Sequence, residues 1–450
     1  MLRECLLFEL PVSGGSIPAS FQQKRGRETS MNSRVRVQET LKGMVPDKVP
    51  IDFGATTVSG FHVSCIAALR NYYGLEKKPV CVIDPYQMLG QIDEDLKQVI
   101  DLDTEGVFGQ RTKFGLSTER WKPWRTPAGL EVLVPEAFNT TVDKNGDILI
   151  YPQGDLTVPP SGRMPVGGFY FDAIIRQEPF DEDRLDPMDN LEEFNTLSED
   201  ELTHFGQAIR RVEETGRAIV ATLGGMSLGD ISLIPGPSLK HPKGIRDITE
   251  WYISTRTRRN FVHQIFSRQC EIALTNLEKF HSRFGNSVDV AYVCGTDFGT
   301  QNSSFCSVET FRELYMPYYK RVNDWIHRNT TWKTFKHSCG SVEKFIESFI
   351  ESGFDILNPV QCSALGMEPE KLKVKYGGRI TFWGGGVDTQ HTLPFGTPEQ
   401  VRQEVLKRCE IFSRDGSFVF TAIHNVQALT PVDNIVAMIN AVHEFNGDGR

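Results

Sequence analysis

The chain has 450 residues, 39% of them hydrophobic and 24% charged, the proportions of a globular protein with a substantial core. Its formal net charge of −9 argues against nucleic acid as a partner, because backbone binding needs a basic surface. No run of about 18 apolar residues is present to span a membrane, and nine cysteines, an odd number without a C-x-x-C pair, read as reduced cytoplasmic thiols.

Residues 1–30 differ from the rest. Leu6-Leu7-Phe8 is cut short by Glu9 and Pro11, too brief for a signal peptide. Lys24, Arg25 and Arg27 follow in a Gln/Ser-rich stretch. The segment reads as a disordered extension, with Met31 as the natural start and 31–446 as a single domain.

Residues 110–170 carry short strand signals at 131–134, 140–142 and 148–151, with Asp143-Lys144-Asn145-Gly146-Asp147 as a hairpin turn. They read as a β-rich insertion in an early βα loop, a lid or an interface rather than an independent domain. From residue 200 onward helix and strand signals alternate. Ser198-Glu199-Asp200-Glu201 is a capping box, and Leu202, Phe205, Ile209 and Val212 follow at helical spacing. The apolar run 218–223, ending at Gly224-Gly225, suits a strand buried on both faces. A long helix over 247–284 leads to a strand at 288–294. Ser307 caps a helix kinked at Pro317. Strands at 334–336, 354–357, 380–383 and 418–423 alternate with helices at 341–352, after Thr397-Pro398 and after Thr430-Pro431.

This alternation predicts an α/β fold, a (β/α)8 TIM barrel rather than a doubly wound sheet, since no G-x-G-x-x-G loop follows a first strand. Barrel sites lie at the C-terminal ends of the strands, and polar residues gather there. His337-Ser338-Cys339-Gly340 follows a predicted strand directly. In extended chain, residues two apart point the same way, so imidazole and thiolate converge, and both are good zinc ligands. A structural histidine beside a buried thiol is the competing reading. His424-Asn425 ends the last strand, within reach of the same point. Asp297, Gln361 and Asp388 end three others, where substrate binding competes with helix capping. Cys294 is a substitute ligand to be checked.

Several segments together resemble the uroporphyrinogen decarboxylase superfamily, and within it the corrinoid-linked methyltransferase branch. Arg34 to Pro50 looks like its N-terminal helix and the lead-in to strand one. His337-x-Cys339-Gly340, Gly353-Phe354-Asp355-Ile356-Leu357-Asn358, Gly384-Gly385-Gly386-Val387-Asp388 and Gly396-Thr397-Pro398-Glu399 look like successive later motifs. The likeness covers about 31–446, with 110–170 poorly matched. It implies a barrel and two possible chemistries. Decarboxylases carry an arginine-containing loop after strand one, but here no arginine lies between Ile51 and Arg70, which disfavours porphyrin decarboxylation. The methyltransferase branch carries H-x-C and a distant cysteine on the last strand, all on zinc. His337 and Cys339 match, whereas the third position aligns with His424.

The resemblance therefore implies Zn²⁺ on His337, Cys339 and His424; beside it, the polar residues expected around the mouth are Asp297 and Asp388 as catalytic groups and Asp52, Gln301, Gln361 and Asn425 as substrate contacts. It implies methyl exchange between a corrinoid (methylcobalamin) on a partner corrinoid protein and a small thiol or methoxylated substrate, in a possible homodimer. The rival expectations are a decarboxylase using Asp52 or Asp297, and a ligand-binding barrel without turnover.

Overall fold

The computed structural model describes residues 31–223 and 227–448; the extension 1–30 and the glycine pair Gly224-Gly225 lie outside the described residues. Seven parallel strands form one curled sheet: Thr104–Val107, Ala218–Ala221, Val290–Cys294, Lys333–His337, Ile356–Asn358, Thr381–Trp383 and Phe418–Val419, each paired with the next. The open sides meet at Pro50-Ile51-Asp52. Asp52 N–H donates to the Phe420 carbonyl and Phe420 N–H to that of Pro50, both at 2.8 Å, while Asp103 N–H donates to Ile51 at 2.9 Å. The result is the predicted TIM-barrel arrangement, with its first strand reduced to these few residues.

Alternation along the strands builds two cores. Ala218, Val220, Val290, Phe335, Ile356, Trp383 and Val419 face the barrel interior. Ile219, Ala291, Val293, Leu357 and Phe382 face the surrounding helices. Helix Ser33–Leu41 plugs the floor with Val37 and Leu41. Its Arg36 is buried between Asp47 and Asp103, so the charge is taken from water only where carboxylates meet it. At mid-barrel, Asp52 Oδ1 accepts from Thr104 Oγ1 and Oδ2 from Trp383 Nε1, each at 2.8 Å. This fully buried carboxylate ties the seam across the interior, and burial pushes its pKa up.

Both expected capping boxes are present, at Ser198–Glu201 and Thr397–Gln400. The single long helix expected over 247–284 is two, Ile248–Thr257 and Arg259–Phe284, because Arg258 leaves helical geometry and pairs with Glu182 and Glu250. The break expected at Pro317 falls two residues earlier, at Tyr315, with the proline in the first turn of Met316–Asn329, where a missing N–H does no harm. The β-rich segment leaves after Thr104–Val107 and returns at helix Glu199–Glu213. Its strands Trp121–Arg125 and Glu131–Pro135 join a sheet with Val80–Asp84 and Leu89–Gly90, strands that local patterning did not suggest. A second sheet is made by Thr140–Val142, Ile148–Ile150, Gly162–Met164 and Asp172–Ala173. No helix among the described residues is long and apolar enough to cross a membrane.

Replacing Asp52 by Ala strands the Trp383 N–H and the Thr104 hydroxyl in the barrel interior. A loss of about 2–4 kcal/mol in unfolding free energy is expected by denaturant titration; an unchanged midpoint would mean that the seam does not need this tie.

Candidate metal centre

His337, Cys339 and His424 come together at the C-terminal mouth, their ligand atoms all within 4.8 Å of one another. Strand Lys333–His337 alternates, so Phe335 points into the barrel and His337 follows it on the same side one step higher. The chain then turns at Gly340, whose φ of +84° disfavours a side chain. A Cβ there would lie 2.5 Å from the carbonyl carbon of Gly299, and one on Gly299 would lie 2.6 Å from the Cys339 oxygen. Two glycines back to back thus let the loops after two neighbouring strands touch through their backbones. Phe298 N–H donates to Ser338 Oγ at 2.9 Å and Ser341 N–H to the Thr300 carbonyl at 2.8 Å.

The orientation of His337 is set by Asn358 at the end of the next strand. Asn358 Nδ2 donates to the Trp383 carbonyl at 2.8 Å, which turns its Oδ1 toward His337 Nδ1 at 2.6 Å. An oxygen only accepts, so Nδ1 carries the proton and Nε2 keeps its lone pair. Nε2 faces Cys339 Sγ at 3.3 Å. Burial lowers the pKa of both imidazoles to about 4, and the proximity of His337 adds to the effect at His424. Both rings are therefore neutral at pH 7, as metal ligands must be. Burial, then the neighbouring charge of Asp297, hold the Cys339 thiol well above its ordinary value. Its ionisation calls for a cation. The donor set of two imidazoles and one thiol suits zinc, and Cys339 and His424 are partly exposed, which leaves the group accessible from the mouth.

Asp297 also belongs here: its Oδ1 accepts from Cys339 N–H at 2.6 Å and lies 3.9 Å from His337 Nε2. Burial pushes its pKa up. Of the other expected site residues, Gln361, Gln301 and Asn425 brace the loops that carry this group. Gln361 Oε1 accepts from Gly340 N–H at 2.7 Å, and its Nε2 donates to Gln301 Oε1 at 2.9 Å; both glutamines thus brace the cysteine loop. Asn425 accepts from Gly60 N–H and donates to the Thr57 carbonyl and Gln87, tying the His424 loop to the first one. Asp52 sits deeper, in the seam. Asp388 accepts from the N–H groups of Gln390 and His391, and none of its hydrogen-bond partners belongs to the metal group. Cys294 faces the outer core beside Tyr319 rather than the mouth.

Other residues at the centre gave no motif. Lys336, fully buried, donates to the carbonyls of Thr296 and His337, both at 2.6 Å, under the rings of Phe298, Tyr319 and Phe349. Tyr292 stands on Phe335 inside the barrel, ring centroids 5.4 Å apart. Lys113, from the insertion, reaches over the mouth closely enough to depress both imidazoles further. Only contacts across the fold mark these groups. A second set of potential ligands, Asp101, His443 and Asp448, is less suited to a cation because Lys48 already pairs with Asp448.

The uroporphyrinogen decarboxylase (URO-D) family model matches residues 170–445, more than half of the chain. Among solved structures, a methyltransferase from Methanosarcina mazei superposes with a TM-score of 0.53 at 15% identity, covering 92% of this chain and 99% of that one. An intracellular xylanase from Thermoanaerobacterium saccharolyticum gives 0.31 at 9% identity, covering 53% and 76%. No curated protein matches the sequence.

Two measurements test the centre. Titration of zinc into metal-free protein near pH 7 should release about one proton, from Cys339, read by calorimetry in buffers of different ionisation enthalpy; no release would remove the thiolate from the set. Asn358→Leu frees the His337 ring and should weaken zinc binding about 10- to 100-fold in chelator competition, with unchanged affinity counting against the tautomer argument.

Proposed function

Because the chain belongs to the uroporphyrinogen decarboxylase family, we propose that it is a zinc-dependent methyltransferase, exchanging a methyl group between a corrinoid on a partner protein and a small thiol or methoxylated molecule. The observation that carries this reading is the convergence of two neutral imidazoles and a thiol at an accessible barrel mouth. His337 through Nε2, Cys339 and His424 would hold the ion. Zinc with three protein ligands keeps an open position, where it lowers the proton affinity of a thiol or hydroxyl, or polarises an ether oxygen.

The chain's own residues prepare that chemistry. Asn358 keeps Nε2 of His337 free, and the Gly299–Gly340 contact presents Cys339 at a fixed height. Asp297, with burial raising its pKa and its Oδ1 3.9 Å from Nε2, would take a proton released at the mouth. Two histidines and one cysteine give a site one unit more positive than one histidine and two cysteines, which favours polarising oxygen. Tyr292 and Trp383 close the floor below.

Decarboxylation of a porphyrin finds less support. A tetrapyrrole with several carboxylates needs a cluster of fixed cations, and the first arginine after strand one, Arg70, is bound to Asp95 and to the Glu76 carbonyl. The deciding experiment is metal analysis beside a spectroscopic assay of methylcobalamin demethylation with a thiol acceptor. Wild type should carry near-stoichiometric zinc and demethylate the cobalamin; Cys339→Ala and His424→Ala should lose the metal and fall to background. Turnover by metal-free protein would overturn the proposal.

A further inference from the structure

A cavity of about 570 Å³, which none of His337, Cys339 and His424 lines, runs along loop residues Phe108, Gly109 and 111–113, the first-strand loop and strand residues 104–106. Thr57 lines it, and the Thr57 carbonyl accepts from Asn425, the neighbour of His424. The volume suits a small organic ligand, and Phe53, Phe108 and Trp121 give it apolar walls. Most acids on the lining are already paired, Asp93 with Lys78, and Glu94 and Glu105 with Arg217.

Two groups on the lining, Asp84 and Lys113, are different. Arg111 and Arg211 also line the cavity without an ion pair among the described residues, but Lys113 is the cation whose charge acts on the buried Asp84. Asp84 is 3% exposed; its Oδ1 accepts from Tyr86 N–H at 3.1 Å, while among the described residues its Oδ2 has no hydrogen-bond partner. A buried carboxylate oxygen left so loses free energy that a donor would restore. Lys113 spends one N–H on Ser232 Oγ at 3.0 Å and rests 4.7 Å from the Tyr86 ring centroid. Among the described residues no carboxylate forms an ion pair with it, which leaves two donors of its ammonium group for a ligand.

We propose that this cavity holds the body of the substrate, and that the substrate is a small organic acid bearing a hydroxyl or amino group, its carboxylate on Lys113 and its donor on Asp84. The inference rests on the methyl-transfer reading and narrows its substrate class. Asp84 and Lys113 act on each other only through space, the ammonium charge easing the burial of the carboxyl without an ion pair between them; a neutral ether or thiol brings no donor to Asp84 Oδ2 and no carboxylate to Lys113. An acid without a donor brings a second negative charge near Asp84 and satisfies nothing there. Only a ligand with both features answers acid and base together, and the cation comes from the insertion, not from the first-strand loop that would carry it in a decarboxylase.

Calorimetric titration of the full chain with 3-hydroxybenzoate, benzoate and phenol tests this. The hydroxy acid should bind at least about tenfold more tightly than either of the others. Lys113→Met should remove its advantage over phenol, and Asp84→Ala its advantage over benzoate. Should Asp84→Ala fail to fold, the Lys113→Met series decides. Absence of binding by all three probes, or an advantage over phenol that survives Lys113→Met, overturns the proposal. Cys339→Ala, without metal, should bind 3-hydroxybenzoate within about twofold of wild type, because the recognition groups lie outside the metal set. Probe binding without methyl transfer would then sink the functional reading alone, and methyl transfer with binding indifferent to Lys113 would sink this one alone.

Discussion

The amide of Asn358 has one donor face and one acceptor face, and the fold leaves it a single way to use them. Its nitrogen is taken by the Trp383 carbonyl, so its oxygen must meet His337. That hydrogen bond decides which imidazole nitrogen is protonated and which is free. Three adjacent strands take part, one giving the histidine, the next the asparagine, the third the carbonyl. The centre thus depends on register between strands, which a barrel fixes because its interior and exterior faces cannot be exchanged without turning the core inside out.

Around that fixed point, charge is arranged with little waste. Burial keeps both histidines neutral and holds the thiol pKa up, so the imidazoles keep free lone pairs while ionisation of the thiol would need a cation beside it. Lys336 brings a buried cation behind the strand end, held by two carbonyls and three aromatic rings. Asp297 stands opposite, bound to the Cys339 amide. The glutamines and Asn425 hold the loops that carry these groups. Substituting such bracing residues moves ligands by fractions of an ångström, enough to matter for a coordination site.

The insertion changes what the barrel can receive. It joins Trp121–Arg125 and Glu131–Pro135 to Val80–Asp84 and Leu89–Gly90 in a four-stranded sheet. Asp84, at the end of one of its strands, and Lys113, on the loop that leads into it, line the same cavity. A family barrel whose first loop lacks an arginine thereby gains a cation from a different part of the chain.

Much of this was legible in the sequence. Period-two and period-3.6 patterns, two capping boxes and glycine stops gave the alternation of strand and helix, because those signals are local. The H-x-C pair at a strand end pointed to His337 and Cys339 as neighbours, since extended backbone alone sends both side chains one way, and the end of the last strand together with the family resemblance pointed to His424; the structure brings the three within 4.8 Å of one another. Asp52, Gln301, Gln361, Asn425 and Asp388 were visible as polar groups at strand ends, but whether such a group faces a ligand or braces a loop depends on its partners across the barrel. Asn358, Lys113 and Asp84 carried no motif. The partners of Asn358 and Lys113 lie 25 and 119 positions away in the chain, at Trp383 and Ser232, and only closure of the barrel and docking of the insertion bring those partners into contact.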